Sequence, residues 1–143
     1  MALSVLPEVM NDKFAKIKES LNKENVDEII KLIHQYQVDL NKYKKNIQAY
    51  ALEIFKISKK NTEIFDKEIT SRSQNWDSSR ITLMDKLILR LVMAEIMYID
   101  HVPPKVSIAE GIEIAKTMST EDSSAFVNGI LDSFFNDWSK GKE

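Results

Sequence analysis

The chain has 143 residues, 20 Lys plus Arg against 22 Asp plus Glu for a net charge of −2, 43% hydrophobic residues and no cysteine. That length supports one continuous core, and that composition excludes wholesale disorder. Without cysteine, disulfides, thiol nucleophiles, Fe–S clusters and zinc ribbons are excluded, and a reducing cytoplasm is the expected setting.

With three Gly and three Pro in the whole chain, long uninterrupted helices are expected, and apolar residues recur at helical spacing almost throughout. Met10, Phe14, Ile17 and Leu21 mark a narrow stripe on a first helix. Asn25, with Glu28 three residues on, is placed to cap a second whose buried face is Val26, Ile29, Ile30 and Ile33. A break is expected near Gln37 to Asp39. Leu40, Tyr43, Ile47, Tyr50, Ile54 and Ile57 then give a third apolar face. Ile64, Phe65 and Ile69 extend it beyond a kink around Lys59 to Thr62. Asp77, Ser78 and Ser79 are read as caps for the next helix. That segment runs from Ile81 to Met97, is apolar on nearly all sides and should be the central, most buried element. Pro103 and Pro104 stop it. Ser107 and Glu110 read as a capping box opening a short helix through Ile108, Ile112 and Ala115. The polar run Ser119 to Ser124 caps a last helix carrying Phe126, Val127, Ile130, Leu131, Phe134 and Phe135, with Gly141 in a frayed tail. No strand alternation, repeat or low-complexity tract interrupts this pattern. The expected fold is all-α, a compact bundle of about six or seven helices in one domain.

The chemistry-bearing residues are sparse. His34 and His101 stand without a second His at ligand spacing, so no metal site is expected. The three glycines are far apart and form no phosphate loop. No nucleophile elbow is present. Glu121 and Asp122 are adjacent and diverge on a helix. The chain reads as a non-enzyme. No apolar run reaches the roughly 18 residues of a membrane span, and Met1 to Pro7 lacks a signal-peptide pattern, so no membrane partner is expected. Every basic residue before Arg72 is a lysine interspersed with acids, unlike the basic stripe of an autonomous nucleic-acid binder.

One stretch says more. It runs Asn75-Trp76-Asp77, Arg80-Ile81, Met84-Asp85-Lys86, Ile88-Leu89-Arg90-Leu91 and Glu95-Ile96. It continues with Val102-Pro103-Pro104-Lys105-Val106, Glu113-Ile114-Ala115-Lys116, Thr120-Glu121-Asp122-Ser123 and Phe126-Val127-Asn128-Gly129-Ile130-Leu131-Asp132. In order and spacing this resembles the C-terminal half of the NusB transcription antitermination family. The strongest likeness covers residues 75–132. The resemblance implies one NusB-like helical domain over 1–143, with divergent N-terminal helices over 1–70 and family-like helices over 75–138.

It also implies a function without covalent chemistry or cofactor. NusB-like proteins pair with the ribosomal small-subunit protein NusE, bind the boxA element of nascent RNA, and help hold RNA polymerase in an antiterminating complex. Some family members self-associate, so a homodimer belongs among the expected states. An acid at the position of Asp85 helps meet the protein partner in the family, and Arg90 on the same helix is assigned to that face with it. Lys105, after two prolines in a rigid extended loop, is placed to reach a phosphate. Asp122 and Phe126, one turn apart near a helix start, fall where the family touches RNA. There an exposed ring stacks on an unpaired base. By spacing alone, Phe126 at i,i+4 to Ile130 is equally a core residue. Asn128 and Gly129 suit close helix packing or a side-chain-to-backbone bond.

The departure is at the start. Family members usually carry an arginine-rich first helix, whereas the first arginine here is Arg72. A lysine point charge does not replace the guanidinium fork. The alternative reading is therefore a protein–protein interaction module of the same fold that has lost autonomous RNA binding. A role as an accessory in RNA cytosine methylation ranks behind both, since no methyltransferase domain follows.

Overall fold

The computed structural model describes residues 12, 15–17, 19 and 26–142. Residues 12, 15–17 and 19 are helical, and from Val26 on there follow five α-helices and one 3-10 turn, with no strand among the described residues: α1 (Val26–Lys60), α2 (Thr62–Arg72), the turn Ser78–Arg80, α3 (Leu83–Tyr98), α4 (Pro104–Met118) and α5 (Ser123–Gly141). The protein is all-α, as its periodicity requires. The stripe expected on a first helix falls outside the described residues except for the half-buried Ile17, as does the expected cap at Asn25. The chain divides into two compact units, residues 1–52 and 53–143, and α1 contributes to both.

Within the first unit, α1 passes through Gln37 to Asp39 without the expected break. No Gly or Pro interrupts it, and the Gln35 side-chain amide donates to Asp39 Oδ1 at 3.2 Å across one helical turn. Of the face expected to be buried, Val26 and Ile30 are about three-fifths exposed, and Ile33 is exposed too. Apolar spacing marks a face, but it does not supply the surface that covers it.

The second unit holds the core. The junction between α1 and α2 falls at Asn61. Its side-chain amide donates to the Ile57 carbonyl at 2.8 Å, and the Thr62 hydroxyl reaches the Ser58 and Lys59 carbonyls. Side chains thus satisfy the carbonyls that the ending helix leaves open. α3 packs against α2, α4 and α5, and α5 also meets α2 and α4. Phe65, Leu89, Met93, Val127, Ile130 and Leu131 are all but inaccessible at its centre. Each such side chain contributes about 1.5–3 kcal/mol by leaving water.

α3 is the central helix, as its apolar content implies. One stripe of it still faces solvent, formed by Leu83, Leu87, Leu91 and Tyr98. Its start is set not by Asp77 but by Thr82, whose hydroxyl accepts from the Asp85 N–H while the Asp85 carboxylate accepts from the Thr82 N–H. That reciprocal capping box begins the helix at Leu83. α4 also starts where the Ser107–Glu110 pattern does not place it. Pro103 is the N-cap and Pro104 the first helical residue. Proline there has no N–H to satisfy and its φ is already helical. Ser107 is instead buried inside the helix, donating to Glu95 Oε1 at 2.5 Å.

Close packing belongs to Gly111, where an added Cβ would lie 2.6 Å from Val92 Cγ2. At Gly129 the nearest atom would be Trp76 Cζ2 at an ordinary 3.8 Å, and Asn128 is exposed. The close-packing role expected of the Asn128–Gly129 pair is therefore filled from α4. α5 carries Phe126, Val127, Ile130, Leu131 and Phe134 into the core as expected. It runs on through Gly141 rather than fraying, ending with the Lys142 N–H on the Ser139 and Lys140 carbonyls.

Candidate functional site

The loop before α3 and the loop before α5 come together beside the capping box. After α2, the Trp76 N–H closes a turn on the Ser73 carbonyl, and Asp77 then caps the 3-10 turn. Asp77 Oδ1 accepts from the Ser79 N–H at 3.0 Å and from its hydroxyl at 2.8 Å. These bonds, the backbone one foremost and with Arg80 adding to them, hold the carboxyl below its ordinary value of 3.8. The turn sends Arg80 into solvent, where its guanidinium lies 3.8 Å from the equally exposed Asp122 carboxylate.

On the α5 side, a chain of hydroxyls joins the two loops. Ser123 Oγ donates to Ser119 Oγ at 2.8 Å, and Ser119 donates to Asp85 Oδ1 at 2.8 Å. Thr82 Oγ1 lies 3.1 Å from Ser119 Oγ, and the Thr120 N–H donates to Ser123 Oγ. Asp85 and Ser123 are each only 1% exposed. The start of α3, the end of α4 and the start of α5 thus share one buried polar cluster. Above it opens a cleft of about 340 Å³ whose walls include Trp76, Arg80, Ile81, Asp122, Ala125 and Phe126.

The residues singled out from sequence fall in different settings. Asp122 is exposed at the cleft rim and is the N-cap of α5, with no side-chain cap bond. Lys105 is exposed in the first turn of α4 rather than in an extended loop, because Pro104 already begins the helix. Phe126 is not an exposed ring. It is 3% exposed and meets Trp76 edge-on, the centroids 5.1 Å apart and the planes at 74°, so the core reading of its spacing is the one the structure adopts. Asp85 points inward, its oxygens taken by the cap and by Ser119. Arg90 turns to α2 and pairs two-pronged with Asp66, Nε to Oδ1 at 2.7 Å and an Nη to Oδ2 at 2.9 Å. Neither side chain of the expected partner-binding pair lies open on the surface.

Spacing along the chain does not bring Trp76 and Arg80 to Asp122, because α3 and α4 separate them in order. The signal for the missed cap was Thr82-x-x-Asp85, a box with Asp in place of the usual Glu or Gln. Among the described residues no cluster of three His, Asp or Glu side chains is placed to hold a metal ion, and no helix is long and apolar enough to cross a membrane.

The model of the NusB family matches residues 1–136. The chain belongs to the NusB family. The match takes in the N-terminal residues as well as the 75–132 stretch. Among similar sequences are two transcription antitermination proteins NusB. One, from Natranaerobius thermophilus, is 34% identical over 86% of this chain and 88% of its own length. The other, from Chloroherpeton thalassium, is 42% identical over 82% of this chain, which spans about half (54%) of that relative. The solved structure of T. maritima NusB is similar at 28% identity and a TM-score of 0.55, covering 87% of each chain. The two sequence relatives are named for transcription antitermination and not for a catalysed reaction.

Proposed function

We propose that this protein is a cytoplasmic transcription antitermination factor that binds a boxA-type nascent RNA together with the ribosomal protein NusE, as part of an antiterminating RNA polymerase complex. The observation that carries this reading is the family match over residues 1–136, which relatives named for transcription antitermination support. In this reading Lys105 meets RNA phosphate, aided by the positive end of α4. Asp122 and Phe126 form rim and wall of the RNA-contacting cleft, with Phe126 acting from beneath the surface. Asp85 and Arg90 serve the NusE face by fixing the outer turns of α3, where Lys86 and Leu87 stand exposed.

A second reading is a protein-binding module without autonomous RNA affinity. It draws on the absence of arginine before Arg72 and on the burial of Phe126. Fluorescence anisotropy of a boxA-type RNA, with and without NusE and over a salt series, separates the two. Partner-enhanced binding that weakens with salt is expected. NusE binding with no RNA recruitment at any salt concentration would leave the module reading alone. Light scattering on the same samples reports self-association, which would compete with the heterodimer.

A further inference from the structure

We infer that Trp76 is the base-stacking ring of this protein and Arg80 its companion cation, so that one unpaired base of single-stranded RNA enters the cleft between the 75–81 loop and the start of α5. This rests on the RNA-binding reading above and assigns the contact that reading leaves without a side chain.

An aromatic stacking platform must present a ring to solvent and be held from behind. Phe126 meets only the second requirement, at 3% exposure. Trp76 meets both. It is 37% exposed, lines the cleft, rests edge-on against Phe126, and has Gly129 close beneath it in α5. Its position is also fixed from its own side, by the turn bond to Ser73 and by the Asp77 cap that follows. A ring already held in place loses little rotational freedom when a base arrives.

The charges around the cleft decide which part of a nucleotide enters. Asp122 stands exposed at the rim and Asp77 lines the wall. Carboxylates repel a phosphate, so the heterocycle goes in and the backbone stays outside. Arg80 is the cation that the cleft presents there. Its side chain is 73% exposed, and its guanidinium is held toward the rim by an ion pair at 3.8 Å. So long a pair in solvent is weak, and it yields readily to a phosphate oxygen, which the guanidinium fork binds better. Arg72 and Arg90 differ in this respect. Arg72 is tied to Glu68 and Asp137, and Arg90 to Asp66.

The test uses the full chain with NusE and a boxA-type RNA. This chain alone is labelled with 5-fluorotryptophan. Its two tryptophans, Trp76 and Trp138, are assigned by Trp138→Phe. On addition of RNA the Trp76 fluorine resonance should move and that of Trp138 stay. Trp76→Leu should weaken RNA binding roughly ten-fold while NusE binding persists, and Trp76→Tyr should retain most of it. Arg80→Ala should lower the salt slope of log K by about 0.7, one single-strand phosphate contact, and Arg80→Lys should restore the slope. Should Trp76→Leu fail to fold, the fluorine shift and the Arg80 variants still decide. RNA that binds while the Trp76 resonance is unmoved overturns this assignment and leaves the proposed function standing. RNA that fails to bind under all conditions overturns both.

Discussion

At Asp85 the chain spends a carboxylate where the surface cannot use it: the group is 1% exposed and accepts from the Thr82 N–H and the Ser119 hydroxyl. Removing it leaves two half-buried donors without that acceptor, each costing about 1–3 kcal/mol at most. Asp85→Ala should therefore lower stability in urea unfolding by about 2–3 kcal/mol, whereas Lys86→Ala, one residue on and exposed, should be close to neutral. A stable Asp85→Ala protein that has lost NusE would instead mark direct contact. Asp77 presents the opposite case, a solvent-facing carboxylate whose folded pKa is depressed below 3.8 by its bonds to Ser79. A depressed acid stabilises its turn at every pH above the unfolded value and loses that contribution as pH falls through the folded one. A carboxyl-carbon NMR titration should place the Asp77 midpoint below 3.8. Over the same acidic range the Ser79 amide should lose protection relative to its intrinsic exchange rate, and Asp77→Asn should remove that change in protection.

Among the helices, two glycines differ in what they allow. Alanine gains roughly 1 kcal/mol over glycine within a helix. At Gly129 the new methyl meets only ordinary contact with Trp76, so Gly129→Ala should raise the melting temperature by a few degrees. At Gly111 the methyl lands 2.6 Å from a Cγ of Val92, which is itself buried. Overpacking typically costs 1–3 kcal/mol, so Gly111→Ala should lower the melting temperature despite the propensity gain. The same contrast shows what could be read from the chain alone. Core positions on α5 such as Val127, Ile130 and Leu131 were legible, because a 3.6-residue period reports directly which side is apolar. On α3, apolar on nearly all sides, it did not separate the exposed Leu87 and Leu91 from the buried positions. Helix ends were less so. Ser107-x-x-Glu110 satisfies the capping pattern but lies mid-helix, since Pro104 nucleates the turn earlier. Glycine spacing also carries no record of which neighbouring helix approaches. The site was legible as a stretch of chain but not as a surface: Asp122 faces solvent while Phe126, one turn later, faces the core. The partner of that ring, Trp76, arrives from beyond two intervening helices.

Over the whole molecule, net charge of −2 gives RNA no long-range attraction, and two of the three arginines are held in short ion pairs of 2.7–2.9 Å. Under the proposed function, RNA affinity would then come from a few short-range contacts and from NusE. A log K against log salt plot for the heterodimer should have a slope of about −1.4 from this chain's side, the value for two single-strand phosphates, at Lys105 and Arg80. A much steeper slope would point to a basic surface elsewhere on the chain. The serine and threonine cluster has a consequence at this scale too. Because Ser119 donates to Asp85 and accepts from Ser123, the termini of three helices are soldered at one joint, and none can fray without exposing the others. Their amide protons should exchange with deuterium as one cooperative block. A nucleic acid lying across the cleft would then be felt as slower exchange in α3, α4 and α5 together.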